Sequence, residues 1–273
     1  MSLALLATEA AEAAEESPFT ELTSHLSPHH YSWSPHWQLG PFDLSPTNAV
    51  VNIWLAALLC VGIMWIAARK RSLVPAGLQN FVEVAVDFVK ANIVYSVMST
   101  KDGRRWFPFV ATIFFFVFFL NVVGLIPYFG FTATANIFVT VTLALIVYLL
   151  AVCVGMAKNG PLKFWVKTLV PPDIPKAMLP LMVPIEIISQ LARPLSLAVR
   201  LFANMLADHM MLLVFAGFIF LAAGSAVVYG ILPISLLFMI VFTAFAIFVA
   251  FIQAVIFAFL TTIYLNDALH PGH

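Results

Sequence analysis

Charged residues are scarce in this chain, and their scarcity excludes most soluble folds. Only 10% of its 273 residues are Asp, Glu, Lys or Arg, and 62% are hydrophobic. A soluble domain carries about 25% charged residues. The formal net charge is +0, so bulk electrostatic attraction of a partner such as nucleic acid is not indicated. The composition predicts a polytopic membrane protein.

Cysteine and recognisable catalytic patterns are also lacking. Cys60 and Cys153 both lie in apolar stretches, so we interpret them as small buried hydrophobes and not as a disulfide. The Gly-rich stretch GMAKNG continues with Pro-Leu, which a phosphate loop does not. Only His209 lies in a long apolar run, whereas a membrane haem needs paired histidines. The sequence predicts no cofactor, no metal site and no enzymatic activity.

Basic residues are missing before Arg69, although six acids precede it. A secretory signal peptide begins with basic residues, so the N-terminal segment does not fit one. We predict a polar extramembrane arm over residues 1–45 and a membrane domain over residues 46–273. A solvated arm explains four of its histidines better than a metal site does: His25, His29, His30 and His36.

Apolar runs predict an all-α membrane domain with about five membrane-crossing helices. About 20 apolar residues cross the hydrocarbon core. Three runs have this ordinary length and cover residues 49–68, 106–128 and 136–157. One surface amphipathic helix is predicted between the first two, because apolar and charged residues separate at helical spacing. Its apolar side holds Phe81, Val84, Ala85, Phe88, Asn92 and Tyr95, and its polar side holds Glu83, Asp87 and Lys90.

The last two helices are too long to stand upright. They run from about Pro180 to Leu221 and from about Leu232 to Leu265. At ~1.5 Å per residue these lengths are about 63 and 50 Å, against ~30 Å of hydrocarbon. The first must break at Pro184 or Pro194, or it must tilt strongly. We predict a tilted hairpin over about 176–265 that lies against another object.

Eleven of the 13 Lys and Arg residues fall in three loops, at 69–71, 90–105 and 158–176. Cationic loops stay on the cytoplasmic side. The N-terminus is therefore predicted outside. No Lys or Arg follows Arg200, so the cytoplasmic C-terminus is predicted from the number of spans alone.

A polar stripe follows the first long helix. At ~100° per residue its eight polar residues share a sector of about 120°. They are Glu186, Ser189, Gln190, Arg193, Ser196, Arg200, Asn204 and Asp208.

Arg200 is the stripe residue with the highest free-energy cost of insertion into the membrane. A central arginine costs about 2.5–3.5 kcal/mol in a membrane helix and cannot lose its proton. Glu186 and Asp208 lie ~21 and ~12 Å away along the axis, too far for a direct ion pair on this helix. An anion supplied by another chain is favoured over an internal ion pair.

Other polar residues keep two interpretations each. Glu186 and Asp208 are proton-relay acids or side chains that reach an interface. His209 lies off the stripe and is a proton shuttle or a packing residue. Gln253 either faces Arg200 and holds its orientation or makes a packing hydrogen bond between helices. Asn121 is interpreted as a helix-packing residue.

The segment LARPLSLAVRLFANMLADH, followed by FIQAVIFAFLTTIYLNDA, closely resembles the subunit a family of F-type ATP synthases. The resemblance extends from about Pro46 and includes FFLNVVGLIP. It implies that Arg200 is the essential stator arginine, with Asn204 and Gln253 as the amides beside it. It also implies an inner-side acid at Glu186.

The resemblance further implies partners and a location. The partners are a rotating c-ring whose helical hairpins carry membrane carboxylates, the peripheral-stalk subunit b and membrane lipid. The location is a bacterial inner membrane. Both H⁺ and Na⁺ fit such a machine, because the ring carries the ion site.

One departure from the family concerns the outer side of the hairpin. Ala246 stands where many members carry Glu or His, and Asp208 stands where Gly is frequent. We expect Asp208 and His209 to form the outer proton relay, and Ser196 to lie on the ion path. The alternative is a self-contained secondary transporter, but no internal repeat is found and no anion lies beside Arg200.

Overall fold

The computed structural model describes residues 38–39, 42–43, 47–69, 77–126, 132–170, 178–222 and 228–271. A two-residue antiparallel ladder, β1 (Gln38–Leu39) with β2 (Phe42–Asp43), precedes the helices. Every other regular element in these ranges is helical. The fold is therefore an all-α polytopic membrane protein. The four arm histidines fall outside the described residues.

In the described part of the chain five helices are long and apolar enough to cross a membrane, which confirms the predicted number of spans. They are α1 (Asn48–Arg69), α3 (Thr100–Gly124), α4 (Ile137–Asn159), α6 (Leu179–Ala222) and α7 (Val228–Leu269). Helix α3 begins six residues before the predicted Trp106. The side chain of Ser99 accepts a hydrogen bond from the Asp102 amide at 3.3 Å, and this cap starts the helix within the cationic segment.

The two longest helices form an antiparallel hairpin. Helix α6 has 44 residues and α7 has 42, and neither ends at an internal proline. The continuous form is thus confirmed over a break at Pro184 or Pro194. The tilt stays a prediction, which follows because ~66 Å of helix cannot stand upright in ~30 Å of hydrocarbon. Stacked rings of Phe215 and Phe238, 5.2 Å apart, join the helices near the turn of the hairpin.

The predicted amphipathic helix between the first two spans is present. Helix α2 (Leu78–Phe88) continues through a π-helical segment, Val89–Val94. Its buried side chains include Val82, Val89 and Ile93, whereas Phe81 and Val84 are exposed. The apolar arc of the helix is wide enough for one edge to pack on the bundle while the other faces outward. Sequence periodicity alone does not distinguish these edges.

Helix α5 (Pro161–Leu169) was not predicted and lies where a loop was expected. Gly160 ends α4 with a φ of 82°, and Pro161 opens the next helix at its first position. Phe164 of this helix is buried against the bundle. Both cysteines are free as predicted, but only Cys60 is buried.

Candidate ion-translocating site

The polar stripe lies at the edge of the surface through which α6 contacts the bundle. Leu197, Leu201 and Met205 are buried at a spacing of four residues, and they form the packing ridge. Ser196, Arg200 and Asn204 of the stripe each come directly before one of these residues. The stripe is therefore rotated by about 100° around the helix axis from the ridge. This offset leaves Ser196 and Arg200 exposed.

Arg200 has no hydrogen bond or ion pair with any residue in the described ranges. The ion pairs with Glu186 or Asp208 that were weighed from the sequence do not form. Ser196 likewise has no hydrogen-bond partner in this part of the chain. The guanidinium is therefore presented on the outer surface of the hairpin.

Asn204 connects the stripe to α7. Its Nδ2 donates to Oε1 of Gln253 at 3.0 Å, and Gln253 is 1% exposed. This bond fits the interpretation of Gln253 as a hydrogen-bonding residue between helices, and within the described ranges Gln253 makes no hydrogen bond to Arg200. Gln253 Nε2 is buried without a hydrogen-bond partner among the described residues. The Gln253 side chain thus keeps an N–H donor available beside Asn204, one helical turn from Arg200.

Asp208 lies at the end of the stripe nearer the hairpin turn, and His209 follows it in the sequence but lies off the stripe. Asp208 is half-buried, and its Oδ2 has no partner in the described segments. His209 is 8% exposed, and its Nε2 forms a hydrogen bond with Oγ1 of Thr132. The two residues do not bond to each other. Ala246, the position at which many relatives were expected to carry Glu or His, is buried.

Several buried polar side chains lie together at this end of the bundle. Thr132 is followed by the 3₁₀ turn Ala133–Ala135, and Thr134 Oγ1 donates to Asn121 Oδ1 at 3.1 Å. The packing role predicted for Asn121 is confirmed by this bond. The threonines were missed from the sequence, although two hydroxyl residues in a short loop between apolar spans were the available signal.

The opposite end of the stripe holds a charged network. Gln190 Nε2 donates to Glu186 Oε1 at 3.0 Å, and Arg193 Nη2 lies 3.9 Å from the same oxygen. Arg193 Nη1 also donates to Asp267 Oδ2 at 3.1 Å. A cavity of about 40 Å³ adjoins this network and is lined in part by Tyr148, Gln190, Arg193, Tyr264 and Asp267. Asp267 was missed because a single acid near a helix end carries no spacing signal.

Comparison with known proteins agrees with this architecture. The family described as "ATP synthase A chain" matches residues 50–266. ATP synthase subunit a of Beijerinckia indica is 43% identical over 232 residues, which cover 85% of this chain and 90% of the relative. The Hyphomonas neptunium subunit is 43% identical over 251 residues, with 90% and 96% covered, and the Maricaulis maris subunit is 44% identical over 241 residues, with 85% and 91% covered. This chain therefore belongs to the ATP synthase subunit a family.

Proposed function

We propose that this chain is the non-catalytic, proton-translocating stator subunit of a bacterial F-type ATP synthase. Its N-terminus lies outside the inner membrane and its C-terminus lies in the cytoplasm. Two aqueous half-channels deliver protons to, and remove them from, the carboxylates of a rotating c-ring. The observation that carries the proposal is Arg200, which is exposed on an apolar hairpin and unpaired within the described ranges.

The outer half-channel passes Asp208 and His209. A proton that enters there neutralises a ring carboxylate, and the neutral side chain then turns into lipid at low cost. After nearly a full rotation the carboxylic acid reaches the inner half-channel near Glu186 and loses its proton. The buried Oδ2 of Asp208, which has no partner in the described ranges, and the network around Glu186 support these two positions at opposite ends of the stripe.

Arg200 keeps the two paths apart. Its guanidinium favours the ionised ring carboxylate, and the attraction is about 4 kcal/mol at ~4 Å if the effective dielectric constant is ~20. This gain is comparable to the cost of about 2.5–3.5 kcal/mol for a central arginine. A proton therefore crosses only when the ring carries it. The torque drives catalysis elsewhere in the complex.

Other partners contact the remaining apolar surface. Helix α1 exposes Trp54, Leu58, Val61 and Trp65 along one side. Lipid and the membrane helix of the peripheral-stalk subunit b are suitable neighbours for such a side, because both are apolar.

Substitution of Arg200 by Ala tests the proposed function in the assembled complex. We expect inverted membrane vesicles to lose ATP-driven proton pumping, while the c-ring still co-purifies with this chain. Val199→Ala is the matched control, because Val199 is an exposed neighbour without charge. Normal pumping by an assembled Arg200→Ala complex would rule out the stator role. Absence of the ring from the purified wild-type complex would favour a self-contained transporter.

A further inference from the structure

We propose that Thr132 is a positioning residue for His209 and that Gly124 provides the space in which Thr132 sits. The inference rests on the proposed function and deepens it, since it concerns the outer proton path. It assigns a role to the connection between α3 and α4, which lies outside the helical hairpin.

The contact joins two distant parts of the chain. Thr132 is completely buried, and its hydroxyl bonds to Nε2 of His209 on α6. The same connection is held on its other side by the bond from Thr134 to Asn121 of α3. The hydroxyl is thus fixed between two spans, and it restrains the imidazole ring from a direction that the hairpin itself does not supply.

Gly124 explains why Thr132 can occupy this place. A Cβ atom built on Gly124 would overlap Oγ1, Cγ2 and Cβ of Thr132. The backbone of Gly124 is helical and has no positive φ, so the requirement is for space and not for backbone freedom. Any side chain at residue 124 must displace the threonine from the histidine.

A hydroxyl suits a histidine that changes its protonation state. A hydroxyl both donates and accepts hydrogen bonds, whereas each ring nitrogen of a neutral imidazole does only one. Thr132 donates to Nε2 when the proton of the neutral ring is on Nδ1. It accepts from Nε2–H when His209 is the imidazolium or the other tautomer. The ring orientation is kept throughout. Between the Nε2–H tautomer and the imidazolium, Thr132 accepts from Nε2–H in both states, so Nδ1 is the nitrogen at which the proton is gained and lost.

The test compares Thr132→Val with Thr132→Ser in the complete complex. Valine has the shape of threonine without its hydroxyl, and serine retains the hydroxyl. We expect Thr132→Val to reduce ATP-driven pumping about tenfold, because a misplaced relay group slows transfer strongly. Thr132→Ser should retain most of the rate. Thr142→Val is the matched control and should pump normally, because the Thr142 hydroxyl bonds only to Phe138 O of its own helix at 2.7 Å.

Gly124→Ala provides an independent perturbation that leaves the Thr132 hydroxyl chemically intact. It should slow pumping as Thr132→Val does, and it replaces that variant if Thr132→Val fails to assemble. Normal pumping by whichever of these two assembles would overturn the inference. An equal loss in Thr132→Ser and Thr132→Val would also overturn it, because the hydroxyl would then be irrelevant. Normal pumping by Arg200→Ala instead removes the stator role itself, so the two failures are distinguishable.

Discussion

Arg193 lies between two carboxylates of its own chain: Nη1 is 3.1 Å from Asp267, and Nη2 is 3.9 Å from Glu186. Arg200, two turns farther along the same helix, has no such neighbour in the described ranges. Two arginines of one stripe thus have different environments. The first ties α6 to the last turn of α7, and the second is available to an anion from outside.

We expect Arg193→Gln to reduce pumping without abolishing it, in contrast to Arg200→Ala. Arg193 and its partners are partly exposed, so the ion pairs contribute at most about 1 kcal/mol to stability. The functional loss should come from Glu186, which then retains only the bond from Gln190. ATP-driven acidification of vesicles measures both variants. Complete loss of pumping in both variants would show that the different surroundings of the two arginines do not determine their roles.

The Asn204–Gln253 bond should contribute measurable coupling between α6 and α7. Hydrogen bonds between membrane helices contribute about 0.6 kcal/mol on average and at most about 1.7 kcal/mol. A double-mutant cycle with Asn204→Leu and Gln253→Leu, read from the thermal stability of the purified complex, isolates this value. Gln253→Leu alone should cost more than the double variant, since it leaves the Asn204 amide without its acceptor. Additive effects would show that the two side chains are not coupled.

Asp208→Asn should slow proton pumping by at least about tenfold. Ala246 offers no carboxylate on α7 at the position that relatives were expected to use, so that position cannot replace the lost acid. Asp208→Glu should retain part of the rate.

Asp87→Asn is the control for Asp208→Asn, because Asp87 is an exposed acid on α2. It should leave pumping unchanged in the same vesicles. If Asp208→Asn pumps as well as this control, Asp208 is not on the proton path.

Gly155→Leu should destabilise the end of the bundle at which α5 packs by about 1–3 kcal/mol, because it overpacks a close contact. A Cβ at residue 155 would overlap the Phe164 ring and would approach the Ala268 carbonyl oxygen at 2.9 Å. Gly62→Ala is the control, since no atom of the described residues beyond its own helical turn lies within 4 Å of its added Cβ, and it should be neutral or stabilising. The melting temperature of the purified complex measures both. An unchanged value for Gly155→Leu would contradict this packing.

Much of the site was predictable from the sequence because it depends on one helix. The regular spacing from Glu186 to Asp208 places those side chains on one face wherever the helix lies. The high cost of Arg200 in an apolar run likewise follows from the residue types alone. Span number and the length of the hairpin follow from apolar length, which is also a local property.

Only the tertiary structure decided which side chains meet. Gln253 hydrogen-bonds to Asn204 and not to Arg200. Thr132 hydrogen-bonds to His209, and Arg193 pairs with Asp267. The tertiary structure also selected which edge of α2 is buried. Such choices depend on how helices distant in sequence rotate and approach one another, and the periodicity of each helix taken separately leaves that rotation free.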